Sequence, residues 1–303
     1  MKNNSRFNEL SYLKAASKSE ALAGKPLDFI QKVFDEASMG VWRHKRVCSV
    51  IDPILEAEPE ALWVTVGDGR WGRDAKYILD KGGSALATNI SDATLKEASD
   101  LGYINAYQQE NAEALSFDAD AFDYVLCKEA YHHFPRPMIA LYEMLRVASR
   151  AVVLIEPNDR FVNNNLMEAL FSYLINNVFK IEARHQFEKE AGNYKYAISK
   201  REIEKTAVAL NCKSLFFKGI NDSSIRGLGR ERFSRKSRLY KKYRNKKLLL
   251  DVLAKIRCRR HGKLVAVIFK AAPSKAVVEK FRRQGFEFIE LPQNPYIKSS
   301  AHE

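Results

Sequence analysis

From Leu62 to Ile155 the chain alternates short apolar runs with segments of helical spacing. Five runs read as strands: Leu62 to Val66, Ser84 to Thr88, Ile104 to Gln109, Phe122 to Cys127 and Ala151 to Ile155. Behind the first run, Ala75, Ile78 and Leu79 are apolar with Asp74, Lys76 and Asp80 between them. Behind the fourth, Pro135 and Pro137 open a helix with apolar positions at Ile139, Leu141, Tyr142, Leu145 and Val147. Strands alternating with helices at this spacing predict a parallel sheet flanked by helices.

The flanks extend this pattern. Lys25 to Glu60 reads as two helices, with Leu27, Ile30, Val33 and Phe34 on one apolar face and Val47, Val50, Ile51, Ile54 and Leu55 on the next. Residues 1–24 are largely polar and are expected to fray. Beyond Glu156, Phe161, Leu166, Leu170, Tyr173, Leu174 and Val178 keep helical spacing, and a polar stretch follows with Arg184, His185, Glu188, Glu190, Asn193, Tyr194 and Tyr196. Ser199-Lys200-Arg201-Glu202 is a capping box, in which the Ser and Glu side chains satisfy free N–H groups at a helix start. Lys213 to Gly219 and Lys263 to Lys270 are the sixth and seventh strands. The expected division is a helical cap over 1–60, a core over 61–157, a substrate lid over 158–198, the rest of the core over 199–272 with an insertion at 221–262, and a tail over 273–303.

Polar residues gather where the strands end, which is where open α/β sheets bind ligands. The first strand breaks into Gly67-Asp68-Gly69-Arg70-Trp71-Gly72 and then a helix. Glycines let the backbone turn sharply and come close to a ligand, and a helix start offers free N–H groups. The second strand ends in Asn89-Ile90-Ser91, with Asn89 22 residues after Gly67, near the ribose position of a dinucleotide fold. The third ends in Glu110-Asn111-Ala112-Glu113, the fourth in Lys128-Glu129-Ala130-Tyr131-His132-His133-Phe134, and the fifth in Glu156-Pro157-Asn158-Asp159.

GDGRWG, ATNIS, ENAEALSF, AFDYVLCKEAYHHFPRP and VVLIEP stand in the order and spacing of class I S-adenosylmethionine (SAM)-dependent methyltransferases, which the chain resembles over Leu62 to Pro157 and, more loosely, Ser199 to Lys270. The likeness is to the type 11 kind. It implies a Rossmann-like, seven-stranded, mostly parallel sheet with the last strand antiparallel, N-terminal helices and two insertions. SAM is the cofactor it implies, held by Gly67, Asp68, Gly69, Gly72, Asn89, Ile90, Asn111, Ala112 and Lys128. In that scheme Asn89 meets the ribose and Asn111 the adenine amine; Asp68 reaches the methionine amino group or caps the following helix. Two positions depart from the family. Thr65 stands where an acidic residue is usual, and Asn89 replaces the Asp or Glu that holds both ribose hydroxyls. Losing a charge-assisted bond costs roughly 1 kcal/mol, or about five-fold in affinity.

The chain of 303 residues carries a net charge of +13, and the excess is local. Arg226 to Lys263 holds sixteen Lys or Arg against two acids, Glu231 and Asp251, so the remainder is close to neutral. This segment contains an expected amphipathic helix, Leu239 to Arg257, with Leu239, Tyr243, Leu249, Leu250, Leu253 and Ile256 on one side. Charge so concentrated suits polyanions: phosphorylated glycans, anionic lipid heads or nucleic acid. Arg232, Arg235 and Arg238 are the candidate substrate contacts, since Arg recognises phosphate or carboxylate in a two-pronged way. Cys48, Cys127, Cys212 and Cys258 are scattered, with neither disulfide nor zinc spacing, and no metal is expected. No apolar run reaches the length of a membrane span and the first residues lack a signal-peptide core, so a cytoplasmic location, with peripheral contact to an anionic membrane, is expected.

Methyl transfer from a sulfonium is an in-line displacement, so a hydroxyl acceptor needs a base. His132, His133, Glu156 and Asp159 are the candidates for base, orienting group or substrate contact. The motif for methylating an adenine or amide nitrogen, Asn/Asp-Pro-Pro-Tyr/Phe, is missing after the fourth strand, and no Pro-Cys of cytosine C5 chemistry sits at the strand ends. The expected reaction is therefore O-methylation of a saccharide or anionic small molecule. IEPND and YKYAISKREIEK are also similar to methyltransferases of bacterial surface-polysaccharide biosynthesis. RNA methylation through the basic segment, and an inactive scaffold on the same fold, are the alternatives.

Overall fold

Five parallel strands at the segments expected from the sequence build one half of the sheet, and antiparallel pairings complete the other. The computed structural model describes residues 2–159, 162, 166–178, 187, 193–223 and 225–296. The strands are β1 (Leu62–Val66), β2 (Ser84–Asn89), β3 (Tyr107–Gln109), β4 (Phe122–Lys128), β5 (Ala148–Pro157), β6 (Ser214–Ile220), β7 (Lys263–Phe269) and β8 (Glu287–Glu290). Their order across the sheet is β3-β2-β1-β4-β5-β7-β6-β8. β7 runs antiparallel between β5 and β6, which returns β6 to the direction of β5. The eighth strand, antiparallel to β6, is one more than the sequence predicts.

Successive residues of each strand serve opposite faces. Trp63 enters one helical layer and Val64 and Val66 the other; Ala151, Val153 and Ile155 oppose Val152 and Leu154 in the same way. Trp63 has room because its β2 partner is Ala85, while on the other side its ring stacks on Tyr124 at 4.7 Å. The first layer holds α2 (Leu27–Phe34), α3 (Met39–Cys48), α4 (Asp52–Ala57), α5 (Arg73–Asp80), α6 (Ala93–Asp100) and α11 (Lys275–Arg283). The second holds α7 (Pro137–Val147) and α9 (Lys200–Ala209), the latter capped by Ser199 Oγ accepting from Glu202 N.

Two local expectations change. The first residues do not fray: α1 spans Lys2–Leu22, with Ser11 and Ser19 buried. The basic helix α10, Arg238–Lys255, does not turn all its apolar side chains inward. Tyr243 is buried and Leu239, Leu250 and Leu253 are half-buried, but Leu249 and Ile256 are exposed. A third apolar cluster of Met39, Leu228 and Tyr243 fastens this insertion to α3. α8 (Leu166–Val178) falls in the segment expected as a lid, of which Phe161, Arg184, His185, Glu188 and Glu190 lie outside the described residues.

Candidate active site

Gly67 and Gly72 take φ values of +79° and +65°, the left-handed region that a Cβ disfavours, and between them the chain turns from β1 into α5. A Cβ on Gly67 would lie 2.4 Å from that of Ala130, and one on Gly69 would lie 2.8 to 3.0 Å from the Asn89 amide. Bare main chain here is therefore a packing requirement as well as a turning one. Asp68, 4% exposed, accepts from Asp74 N at 3.1 Å, Ala75 N at 2.9 Å and Thr65 Oγ1 at 3.1 Å. Of the two roles expected of Asp68, capping the helix is the one these bonds display. Burial, and then the charge of Asp74, push the Asp68 carboxyl up.

Beneath this turn lies a sealed polar group that no local pattern announced. Asp74 Oδ1 sits 2.7 Å from His44 Nε2 and 3.0 Å from Lys128 Nζ, with the Cys48 thiol donating to it at 3.7 Å. Burial alone would raise Asp74, but Lys128 and His44 hold it below the ordinary carboxylate range. Burial and the Lys128 charge bring His44 down to about 4. His44, Cys48 and Asp74 bring three ligand-type atoms within 4.8 Å of one another. The ammonium of Lys128 already supplies the cationic charge there, and burial followed by Asp74 holds Cys48 as the thiol. The charge of Lys128 is thus directed at Asp74.

Asn89 ends β2 facing Gly69. Its Nδ2 donates to Ser91 O at 2.9 Å and to Ser19 Oγ at 3.1 Å, which leaves the amide oxygen to accept a hydroxyl. Asn111 Oδ1 accepts from Glu113 N at 3.0 Å in a tight turn, next to buried Ala112. Over both lies α1: Ser19 meets Asn89, Tyr12 meets Glu113, and Ser11 donates to Asn193 Oδ1 at 2.7 Å. A polar helix thereby covers the β2 and β3 ends through its serines and a tyrosine.

The β4 and β5 ends meet in one arrangement. Glu156, with no exposed surface, places Oε2 2.6 Å from His132 Nδ1, and its Oε1 accepts from Ala130 N at 2.9 Å and Tyr131 N at 3.0 Å. The carboxylate is fixed by backbone before it meets the imidazole. The His132 and His133 rings lie 3.9 Å apart. Asp159 stands further out, its N–H donating to Ile198 O at 2.9 Å, and the carbonyl of His133 accepts from Asn193 Nδ2.

At the neighbouring end of β6, Asp222 gathers three cations and a hydroxyl. Arg43 Nη2 reaches it at 2.8 Å, Arg46 Nη2 at 3.0 Å, the Tyr243 hydroxyl at 3.1 Å and Lys263 Nζ at 3.6 Å. Lys263 also pairs with Glu129 at 2.6 Å. Against the cost of burial, Arg43 and the other cations hold Asp222 at about 2. This hub joins α3, the β4 and β6 ends and α10. Arg232, Arg235 and Arg238 are exposed on the insertion, Arg232 pairing through its backbone with Ser38.

The glycine turn, the start of α5, the Asn89 oxygen and the Gly69 approach fit a nucleoside with an amino-acid tail, as SAM requires. Residues 64–155 match the family described as a methyltransferase domain. No curated protein sequence matches the chain. Among solved structures, the partner of the Trm112 methyltransferase activator from Haloferax volcanii is similar at 14% identity and a TM-score of 0.50, over 86% of this chain and 99% of that one. A SAM-dependent methyltransferase of Methanosarcina mazei is similar at 14% identity and a TM-score of 0.46, over 73% and 98%. The chain carries a methyltransferase domain over residues 64–155 on an α/β, Rossmann-like fold, which makes it a SAM-dependent methyltransferase.

Proposed function

We propose that the protein transfers the methyl group of SAM to a hydroxyl of a saccharide or anionic small molecule. The observation that carries this reading is the Glu156–His132 pair. SAM supplies an electrophilic methyl group on a sulfonium. The acceptor must lose a proton as its oxygen attacks, and in this reading His132 takes it. Glu156 holds Nδ1 and so turns Nε2 into the accepting atom. Its charge, fixed by the Ala130 and Tyr131 N–H groups, then stabilises the imidazolium. The lid and the basic segment are the parts left to choose the acceptor. The IEPND and YKYAISKREIEK segments favour a glycan of the bacterial surface kind.

RNA is the second reading, favoured by the sixteen cations between Arg226 and Lys263. Incubating the protein with methyl-labelled SAM and fractionated cell extract separates the two. Label in the small-molecule or glycan fraction, lost on His132→Ala, supports O-methylation. Label in RNA, with binding that falls steeply with salt, overturns it.

A further inference from the structure

α10 turns two kinds of surface outward at once. At 100° per residue, Leu248, Leu249, Val252 and Ile256 fall on the side of the helix opposite buried Tyr243. They are 62%, 58%, 47% and 56% exposed. Lys241 and Asn245 share this outer side, Lys242, Arg244 and Lys255 flank it, and Lys246 lies further round, all exposed. The inner side is already used. Tyr243 bonds Asp222, Tyr240 packs against Trp42 and Phe233, and Asp251 receives Asn221 Nδ2 at 2.8 Å. The exposed aliphatic row is therefore a face that the described residues leave uncovered.

We infer that the outer side of α10 docks on the surface of an anionic phospholipid bilayer. Charge complementarity selects the partner, and the aliphatic row narrows it. An in-plane membrane helix needs an apolar strip bordered by cations, the strip entering the acyl boundary and the cations meeting the headgroups. A nucleic-acid surface would use the cations but gain little from a row of exposed leucines, and a single strand would stack its bases on aromatic rings. The aromatic side chains of α10, Tyr240 and Tyr243, are turned into the protein instead. No described helix is long and apolar enough to cross a membrane, so the contact is a lying one. The Asp222 hub ties the docked helix to the β4 and β6 ends, so binding would fix the active site close to the lipid surface. Docking of this kind holds whichever acceptor is methylated.

Co-sedimentation of the full chain with phosphatidylcholine vesicles, with and without phosphatidylglycerol, tests it at physiological salt. Binding to the phosphatidylglycerol vesicles should exceed binding to pure phosphatidylcholine by about tenfold or more. Replacing Leu248, Leu249, Val252 and Ile256 by Ser should reduce that binding by about tenfold or more while the melting temperature is kept, because these side chains are exposed. Replacing Lys241, Lys242 and Lys246 by Gln should do the same. Failure of the wild-type protein to bind the anionic vesicles overturns the proposal. So does unchanged binding by the serine variant, which would reduce the contact to charge alone. Tight RNA binding that the serine variant retains, without vesicle binding, would assign the surface to nucleic acid. A dimer that only the serine variant dissolves would assign it to a second copy of the chain.

Discussion

Glu156 Oε2 holds His132 Nδ1 at 2.6 Å while the opposite oxygen of the same carboxylate is tied to two backbone N–H groups. His132→Ala removes the base and should lower the methylation rate by about a hundredfold or more. Glu156→Gln keeps the size but allows the imidazole the wrong tautomer, and should lower the rate in the same direction. In both variants titration calorimetry should find SAM affinity within about two-fold of wild type, since neither group is needed to hold the cofactor. A parallel loss of SAM binding would mean that the pair is structural.

Gly69→Ala would drive a methyl group into the Asn89 side chain at 2.8 to 3.0 Å. Asn89 is short and bonded to Ser19 and Ser91, so it cannot swing aside without breaking those bonds. SAM affinity should fall by about tenfold or more, equal to roughly 1.4 kcal/mol. Calorimetric titration of the variant checks this.

His44 predicts a pH dependence of stability. Its folded value, about 4, lies below the ordinary 6.5, so between these two values the unfolded chain binds the extra proton. Stability from this residue is therefore complete above pH 6.5 and is lost as the pH falls toward 4, by up to about 3 kcal/mol. His44→Gln can still donate to Asp74 but does not titrate. Its urea-unfolding free energy should decline less than that of the wild type across this window, and an identical slope would refute the assignment.

Much of the core was legible because its signals are local. A strand, a glycine turn and a helix occupy adjacent residues, and Leu62 to Pro157 repeats the strand-then-polar-end unit. β8 was hidden because Glu287-Phe288-Ile289-Glu290 is four residues long and polar at both ends; it becomes a strand only beside β6. α1 was hidden because its anchors are Ser11, Tyr12 and Ser19, whose partners Asn193, Glu113 and Asn89 lie far off in sequence. The candidates His132 and Glu156 were visible separately, and only the fold sets them in contact. For α10, charge dominated the pattern, and spacing alone could not say which leucines face outward.

Asp222 tests the link between the N-terminal helices and the basic insertion. Asp222→Ala would strand Arg43 and Arg46, whose side chains are 19% and 24% exposed. Removing one partner of such a half-buried cluster should cost about 2 to 4 kcal/mol in denaturant unfolding. Limited proteolysis should then cut first between residues 221 and 262. Asp222→Asn, which keeps the acceptor for Tyr243 but not the charge, should lie between the two.

The C-terminal strand carries a consequence of another kind. β8 pairs Glu287, Phe288, Ile289 and Glu290 with Phe217, Phe216, Leu215 and Ser214 of β6. Without it, β6 would offer a row of open main-chain groups beside three large apolar side chains, a template for the same segment of another molecule. The four residues that replace that row are short and end in carboxylates at both sides, so they stop pairing where they stand. Trimming the chain before Glu287 would thus convert a closed sheet margin into a seed for aggregation, even though no active-site residue had been touched.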